Sequence, residues 1–229
     1  MIECGASSLE LGLAFSDPVA DGPIIQQAAS ETLASGFKVR DAFELIAEIR
    51  GLDREIPIGL LVYYNMVLAQ GVEQFCQRAQ KAGVDGILVA DLPPEAASEV
   101  VPAARACDLS TLFIVSPLTT EDRLGKIREY AGAFVYAVSR LGITGTEARY
   151  DQALKAMIAR VHATVSLPVC VGFGVSTPDQ ARAMFALGAD GVITGSRILQ
   201  LVREANGAEY DQRLRAFLES MSEVCLCQR

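Results

Sequence analysis

Short apolar runs recur along the chain. Between them lie longer stretches in which apolar residues return every three or four positions. The runs are residues 9–13, 58–64, 86–91, 112–116, 134–139, 169–173 and 191–195. Each has about the 5–7 residues of a buried strand. Helical spacing fills the gaps. Residues 40–50 put Ala42, Leu45, Ile46 and Ile49 on one face, and residues 72–82 do the same with Val72, Phe75, Cys76 and Ala79. Residues 177–187 open with Thr177-Pro178, a cap followed by proline at the first helical position.

Strand–helix alternation with short connections predicts parallel strands joined by right-handed crossovers. A weak repeat agrees: Cys4-Gly5-Ala6-Ser7, Ala82-Gly83-Val84-Asp85 and Leu187-Gly188-Ala189-Asp190 each stand just before a strand. In each, glycine closes a helix in the left-handed conformation and the next two residues turn the chain into the strand. No linker, charge block or low-complexity segment divides the chain, so one domain over 1–229 is expected. Seven strands are visible, where a (β/α)8 TIM barrel needs eight and typically about 250 residues. The expected fold is therefore an α/β (β/α)8 TIM barrel lacking its first βα unit, roughly 30–40 residues by the barrel's average. An open doubly wound sheet would need no eighth strand, but no G-x-G-x-x-G opens a first helix.

Composition narrows the functions. The 229 residues are 51% hydrophobic, enough for a full core, and 20 Lys+Arg against 28 Asp+Glu give a net charge of −8. With a pI of 4.8, a large basic face for nucleic acid is not expected. Mean hydropathy is high at +0.28. Even so, no apolar run reaches the roughly 18 residues of a membrane helix, and no signal-peptide pattern follows Met1. The six cysteines, Cys4, Cys76, Cys107, Cys170, Cys225 and Cys227, are scattered, which suits reduced thiols in a cytoplasmic protein. Cys225 and Cys227 have no second ligand pair nearby, so no metal site is expected. His162, the one histidine, falls on a helix before a strand and reads as a surface or packing residue.

Four features carry candidate chemistry. In Leu9-Glu10-Leu11-Gly12-Leu13 the leucines share one face, and Glu10 lies on the other. If the leucines meet helices, Glu10 points into the barrel, where a carboxyl costs several kcal/mol unless it is hydrogen-bonded or protonated. The plainer reading pairs it with an unseen basic group. Second, the loop Phe15-Ser16-Asp17-Pro18-Val19-Ala20-Asp21-Gly22-Pro23 leaves the strand end where barrel enzymes keep their sites. Asp21 there reads either as a site residue or as a helix cap. Third, Gly172-Phe173-Gly174-Val175-Ser176 and Gly195-Ser196-Arg197 put small residues at the last two strand–helix junctions, where backbone N–H groups can close on a phosphate. Ordinary tight turns are the alternative. Fourth, residues 139–146 form a long loop with two glycines, either a lid or a plain connection. Asp91 ends a strand and is ambiguous. Leu61, Leu88, Ala90 and Ile114 are either core or the wall of a pocket for a flat apolar ligand.

Leu9-Glu10-Leu11-Gly12 followed by Phe15-Ser16-Asp17-Pro18-Val19-Ala20-Asp21-Gly22-Pro23-Ile24-Ile25-Gln26 resembles the signature of the tryptophan synthase α subunit. Pro57-Ile58-Gly59-Leu60-Leu61, Val89-Ala90-Asp91-Leu92-Pro93, Ser139-Arg140-Leu141-Gly142-Ile143-Thr144-Gly145 and Val171-Gly172-Phe173-Gly174-Val175-Ser176 match in order. The resemblance implies a lyase that cleaves indole-3-glycerol phosphate to indole and glyceraldehyde 3-phosphate. It implies Glu10 as general acid/base and Asp21 as the partner of the indole N–H. It implies Gly145, Gly174, Gly195 and Ser196 around the phosphate. Leu61, Leu88, Ala90, Ile114, Tyr136 and Phe173 would line the indole slot, with Thr144 meeting Asp21 on lid closure. It also implies an α2β2 complex, with pyridoxal phosphate only in the β partner and no cofactor in this chain; Asp17-Pro18 matches the loop that communicates with that partner. The chain departs from the family at Ala14 and Met66, where proline is usual, and in Cys225-Leu226-Cys227. Two other readings stay open: another sugar-phosphate barrel enzyme, and an α-like chain that only binds or activates a β subunit. Lys38, Lys81, Lys126 and Lys155 all fall on helices or loops, which offers no strand lysine for a Schiff base.

Overall fold

The computed structural model describes residues 1–138, 147–172, 174–204 and 208–226. The chain divides into two compact units. One holds Ala6–Phe113 with Ile2; the other holds Ile114–Arg229 with Met1 and Glu3–Gly5.

The first unit runs β1 (Leu9–Gly12), α1 (Pro23–Ala34), α2 (Val39–Leu52), β2 (Ile58–Val62), α3 (Tyr64–Leu68), α4 (Val72–Ala82), β3 (Gly86–Val89), a 3-10 turn at Pro94–Ala96 and α5 (Val100–Ala106), then enters β4 (Ser110–Val115). The strands pair in parallel and in chain order, with Leu9 opposite Ile58, Gly59 opposite Gly86 and Gly86 opposite Ser110. Ile58, Leu60 and Val62 of β2 are fully buried, as are Phe75, Cys76 and Ala79 of α4. Phe43 of α2 meets Phe75 edge-on at 5.7 Å. The α4 bounds are those its apolar spacing predicts. In α2 the buried stripe is Ala42 and Ile46, while Leu45 stays 48% exposed; the stripe is narrower than the sequence pattern suggests.

The second unit runs from the end of β4 through α6 (Glu121–Tyr130), β5 (Ala131–Val138), α7 (Glu147–Thr164), β6 (Val169–Gly172), α8 (Pro178–Ala186), β7 (Gly191–Val192), α9 (Ser196–Glu204) and α10 (Ala208–Leu226). Its strands β5, β6 and β7 are again parallel and in chain order. Thr177 caps α8, its Oγ1 accepting from Gln180 N at 3.3 Å, with Pro178 opening the helix. Cys4 packs with Leu201, Leu214 and Leu218, which fixes the short N-terminal turn against α9 and α10. A second cluster joins Val175 and Ala181 to Met221 and Val224.

The described residues hold seven strands. In neither unit does the strand order reverse, so neither has the switch-point crevice of a doubly wound sheet. The fold is of the (β/α)8 barrel type. No helix among the described residues is long and apolar enough to cross a membrane.

The repeated corner takes the conformation its glycines predict: Gly5, Gly83 and Gly188 have φ of 85°, 90° and 101°. A fourth corner, without glycine, precedes β4. There Asp108 takes φ 54°, and Leu109 N returns to Ala104 O at 2.9 Å. Asp tolerates this region better than most residues because its short side chain bonds locally.

Candidate active site

Strand β1 presents Glu10 on a face whose neighbours are small. Register sets Glu10 beside Gly59, and Gly59 beside Gly86. Two glycines in that row leave the carboxyl lateral room. Leu61 lies two residues past Gly59 and pairs with Leu88, and Ala90 follows two past Leu88, so all three share the face of Glu10. Ile114 lies two past Leu112, which pairs with Leu88, and falls in the other unit. Leu9 and Leu13, on the opposite face of the chain, are both buried.

Glu10 is partly buried, and no cation pairs with it among the described residues. Its carboxyl is raised to about 7, first by burial and then by the charge of Asp21. It can therefore carry a proton at neutral pH and give it up without great cost. The plainer expectation of a basic partner has no counterpart in the described structure.

Asp21 sits in the loop after β1. Tight turns shape that loop: Val19 N donates to Asp17 O at 2.9 Å and Asp21 N to Pro18 O at 3.0 Å. Gly22, not Asp21, is the N-cap residue of α1, and no side chain caps that helix. The Asp21 carboxylate instead accepts the hydroxyl of Tyr63, Oη to Oδ2 at 2.8 Å. Burial raises the Asp21 carboxyl, and the Tyr63 hydrogen bond acts against that rise. Tyr63 is 1% exposed and its ring stacks on Phe15 at 5.1 Å. Burial and the Asp21 hydrogen bond keep the phenol firmly protonated. Beside it, Asp91 Oδ1 accepts Tyr64 N at 2.7 Å, which gives that ambiguous residue a defined task at the end of β2.

In the second unit, Tyr136 stands opposite Cys170 in the β5–β6 register. Its ring lies against Gly172: a Cβ there would come to 2.5 Å from Cε1 and Cζ. Gly174 has φ +81°, a conformation that favours glycine. Among the described residues nothing lies within 4 Å of where a side chain at Gly195 would begin, and Ser196 is the first residue of α9. Thr194 Oγ1, just before, is buried without a hydrogen-bond partner among the described residues. Thr144, Gly145, the whole 139–146 loop, Phe173 and Cys227 lie outside the described residues. His162 Nε2 lies 2.8 Å from Asp190 Oδ2 at the corner before β7, a structural contact.

Tyr63 is the residue that sequence patterns miss. Its only signal is a tyrosine at the end of the second apolar run, on the same end of the strands as the Asp21 loop.

A family model described as tryptophan synthase alpha chain matches residues 1–225. The chain is 47% identical over 202 residues to the tryptophan synthase alpha chain of Methanothermobacter thermautotrophicus, covering 88% of this chain and 74% of that one. The crystal structure of tryptophan synthase subunit alpha from Legionella pneumophila superposes with a TM-score of 0.89 at 34% identity, over 99% of this chain and 84% of the other. A structure from Pyrococcus furiosus, described in terms of mutual activation of the tryptophan synthase α2β2 complex, gives a TM-score of 0.84 at 37% identity, over 94% and 86%. Sequence along nearly its whole length and backbone geometry lead to one assignment: the chain belongs to the tryptophan synthase alpha chain family.

Proposed function

We propose that Glu10 and Asp21 carry the chemistry of this lyase, which cleaves indole-3-glycerol phosphate to indole and glyceraldehyde 3-phosphate. The bond to be broken joins the indole ring to the glycerol side chain. Its electrons need a sink, and the ring becomes one only after it gains a proton on carbon. Glu10, protonated near neutrality, gives that proton. Asp21 accepts the indole N–H and balances the positive charge of the resulting indolenine. The Glu10 carboxylate then takes the side-chain hydroxyl proton as the carbon–carbon bond breaks, and the proton count closes. Two carboxyls in different surroundings divide the work.

What supports this most is the placement of Glu10: a partly buried carboxyl beside the Gly59–Gly86 row, raised to about 7 by burial and by the charge of Asp21, with no cation paired to it among the described residues. On the same reading, Gly145, Gly174, Gly195 and Ser196 receive the phosphate through backbone N–H groups and the α9 N-terminus. Leu61, Leu88, Ala90, Ile114 and Tyr136 are the indole-facing residues on this reading, to which the resemblance adds Phe173 and Thr144, both outside the described residues. The chain works as one cytoplasmic domain within an α2β2 complex whose β partner alone carries pyridoxal phosphate.

The test is turnover of indole-3-glycerol phosphate by the purified chain, alone and with a β chain. Glu10→Gln is expected to lower kcat by about 100- to 10,000-fold, the range of a lost general acid. An unchanged rate in that variant overturns the assignment.

A further inference from the structure

We infer that Tyr63 is a positioning residue for the lyase reaction: it holds one oxygen of Asp21 and leaves the other to meet the substrate N–H. The inference rests on the reading of Asp21 given above.

The hydrogen-bond directions carry the argument. Tyr63 Oη receives the Ala20 N–H at 3.1 Å. A backbone N–H can only donate, so this contact uses a lone pair of the phenol oxygen. The single phenol proton is left for Asp21 Oδ2, 2.8 Å away. One atom thus grips both the loop backbone and the carboxylate. Its orientation is locked because the two contacts demand opposite roles.

The ring is equally constrained. Tyr63 is 1% exposed and stacks on Phe15, which starts the same loop, with planes 24° apart. Its backbone is anchored from the other side, since Asp91 Oδ1 holds the next amide, Tyr64 N. Loop start, loop tip and the end of β2 are therefore joined through one side chain. Among the described residues, Oδ1 of Asp21 has no hydrogen-bond partner, whereas Oδ2 is occupied. A carboxylate with one oxygen fixed and one free is shaped to accept a single N–H from a planar ring. Misplacement by about 1 Å is enough to cost a large share of rate.

Among the described residues, the titratable groups acting on this carboxylate are Glu10 on β1 and Tyr63 at the end of β2, with Asp91 acting on the phenol from beyond β3. A donated O–H favours the ionised form of Asp21, the form that accepts the indole N–H.

The experiment compares wild type, Tyr63→Phe, Asp21→Asn and the double variant on indole-3-glycerol phosphate across pH. Tyr63→Phe keeps the ring and its stacking. It is expected to lower kcat about 10- to 100-fold, as for a lost hydrogen bond to a charged group, with a smaller change in KM. The acid limb of its kcat/KM profile moves to higher pH, while the basic limb, set by Glu10, serves as the internal reference. In the Asp21→Asn background the same change adds little. An unmoved acid limb together with fully additive losses would overturn the inference, since a merely structural tyrosine behaves that way. If wild type does not turn the substrate over, the lyase reading fails by itself. The Asp21 carboxyl titration, followed by carbon NMR in wild type and Tyr63→Phe, then decides the contact separately: an upward shift supports it and no shift refutes it.

Discussion

Ionising Glu10 costs the folded chain stability, because its carboxyl leaves water on folding and faces Asp21. Its value rises from 4.5 to about 7. The folded state therefore binds this proton more tightly than the unfolded chain does. That contribution is fully present below pH 4.5 and is lost as pH rises through 7. The size, at 1.36 kcal/mol per unit, is about 3 kcal/mol. Glu10→Gln carries no such charge. Urea unfolding at pH 5 and pH 8 should show the variant gaining on wild type as pH rises, whatever its effect on turnover. A gap that does not widen with pH would contradict the burial argument. Gly172 makes a second residue-scale case. Alanine there drives a methyl into the Tyr136 ring, and such overpacking costs about 1–3 kcal/mol. Thermal melts should show Gly172→Ala destabilised and the double change with Tyr136→Leu partly restored. Both glycine motifs were visible in sequence, but the ring that makes Gly172 necessary was not, because it comes from a strand 36 positions earlier in the numbering.

At the scale of elements, the recurring corner does more than reverse the chain. Asp85 closes the corner before β3 by accepting Ile58 N at 2.7 Å and Arg50 Nη2 at 2.6 Å, and Asp190 repeats this before β7 with Val169 N at 2.7 Å and His162. Each aspartate ties a strand start to the helix that precedes it. Arg50 adds Ile56 O at 2.7 Å and Gly83 O at 2.8 Å, so one guanidinium fastens α2, the entry to β2 and the α4–β3 corner. Asp85→Ala should destabilise by about 1–3 kcal/mol, since it strands a strand N–H and a guanidinium donor. Chemical denaturation checks this, and a loss below about 0.5 kcal/mol would make the contact incidental. Conversely, Asp108→Gly is expected to raise the midpoint slightly, as the left-handed position then carries no side chain. The x-Gly-x-Asp spelling made two complete corners legible; the Asp108 corner was illegible because its conformation is imposed by the chain around it. His162 looked idle in sequence because its partner lies 28 residues away.

For the whole molecule, two compact units and the proposed single domain make a sharp expectation. The chain has no tryptophan, so near-ultraviolet signals come chiefly from its six tyrosines, with Tyr63 in one unit and Tyr136 in the other. Far- and near-ultraviolet melting curves should coincide in one transition. Two separated transitions would show units that unfold independently. Adding a β chain should raise the midpoint with concentration, by about 2.7 kcal/mol of stabilisation at a hundredfold excess over Kd. A midpoint indifferent to the β chain would remove the α2β2 reading.

Strand–helix alternation, the glycine corners, the helix start at Thr177-Pro178 and the acid-rich loop around Asp21 were all readable along the chain. Each depends on neighbours within a few residues, where local conformation and apolar spacing govern. The Tyr63 grip on Asp21, the glycine row beside Glu10 and the ring over Gly172 were not readable. They depend on strand register and burial, which bring distant residues together and remove their water. Carboxyl chemistry at Glu10 belongs to both levels: position came from alternation along one strand, and proton affinity came from the enclosure that folding built around it.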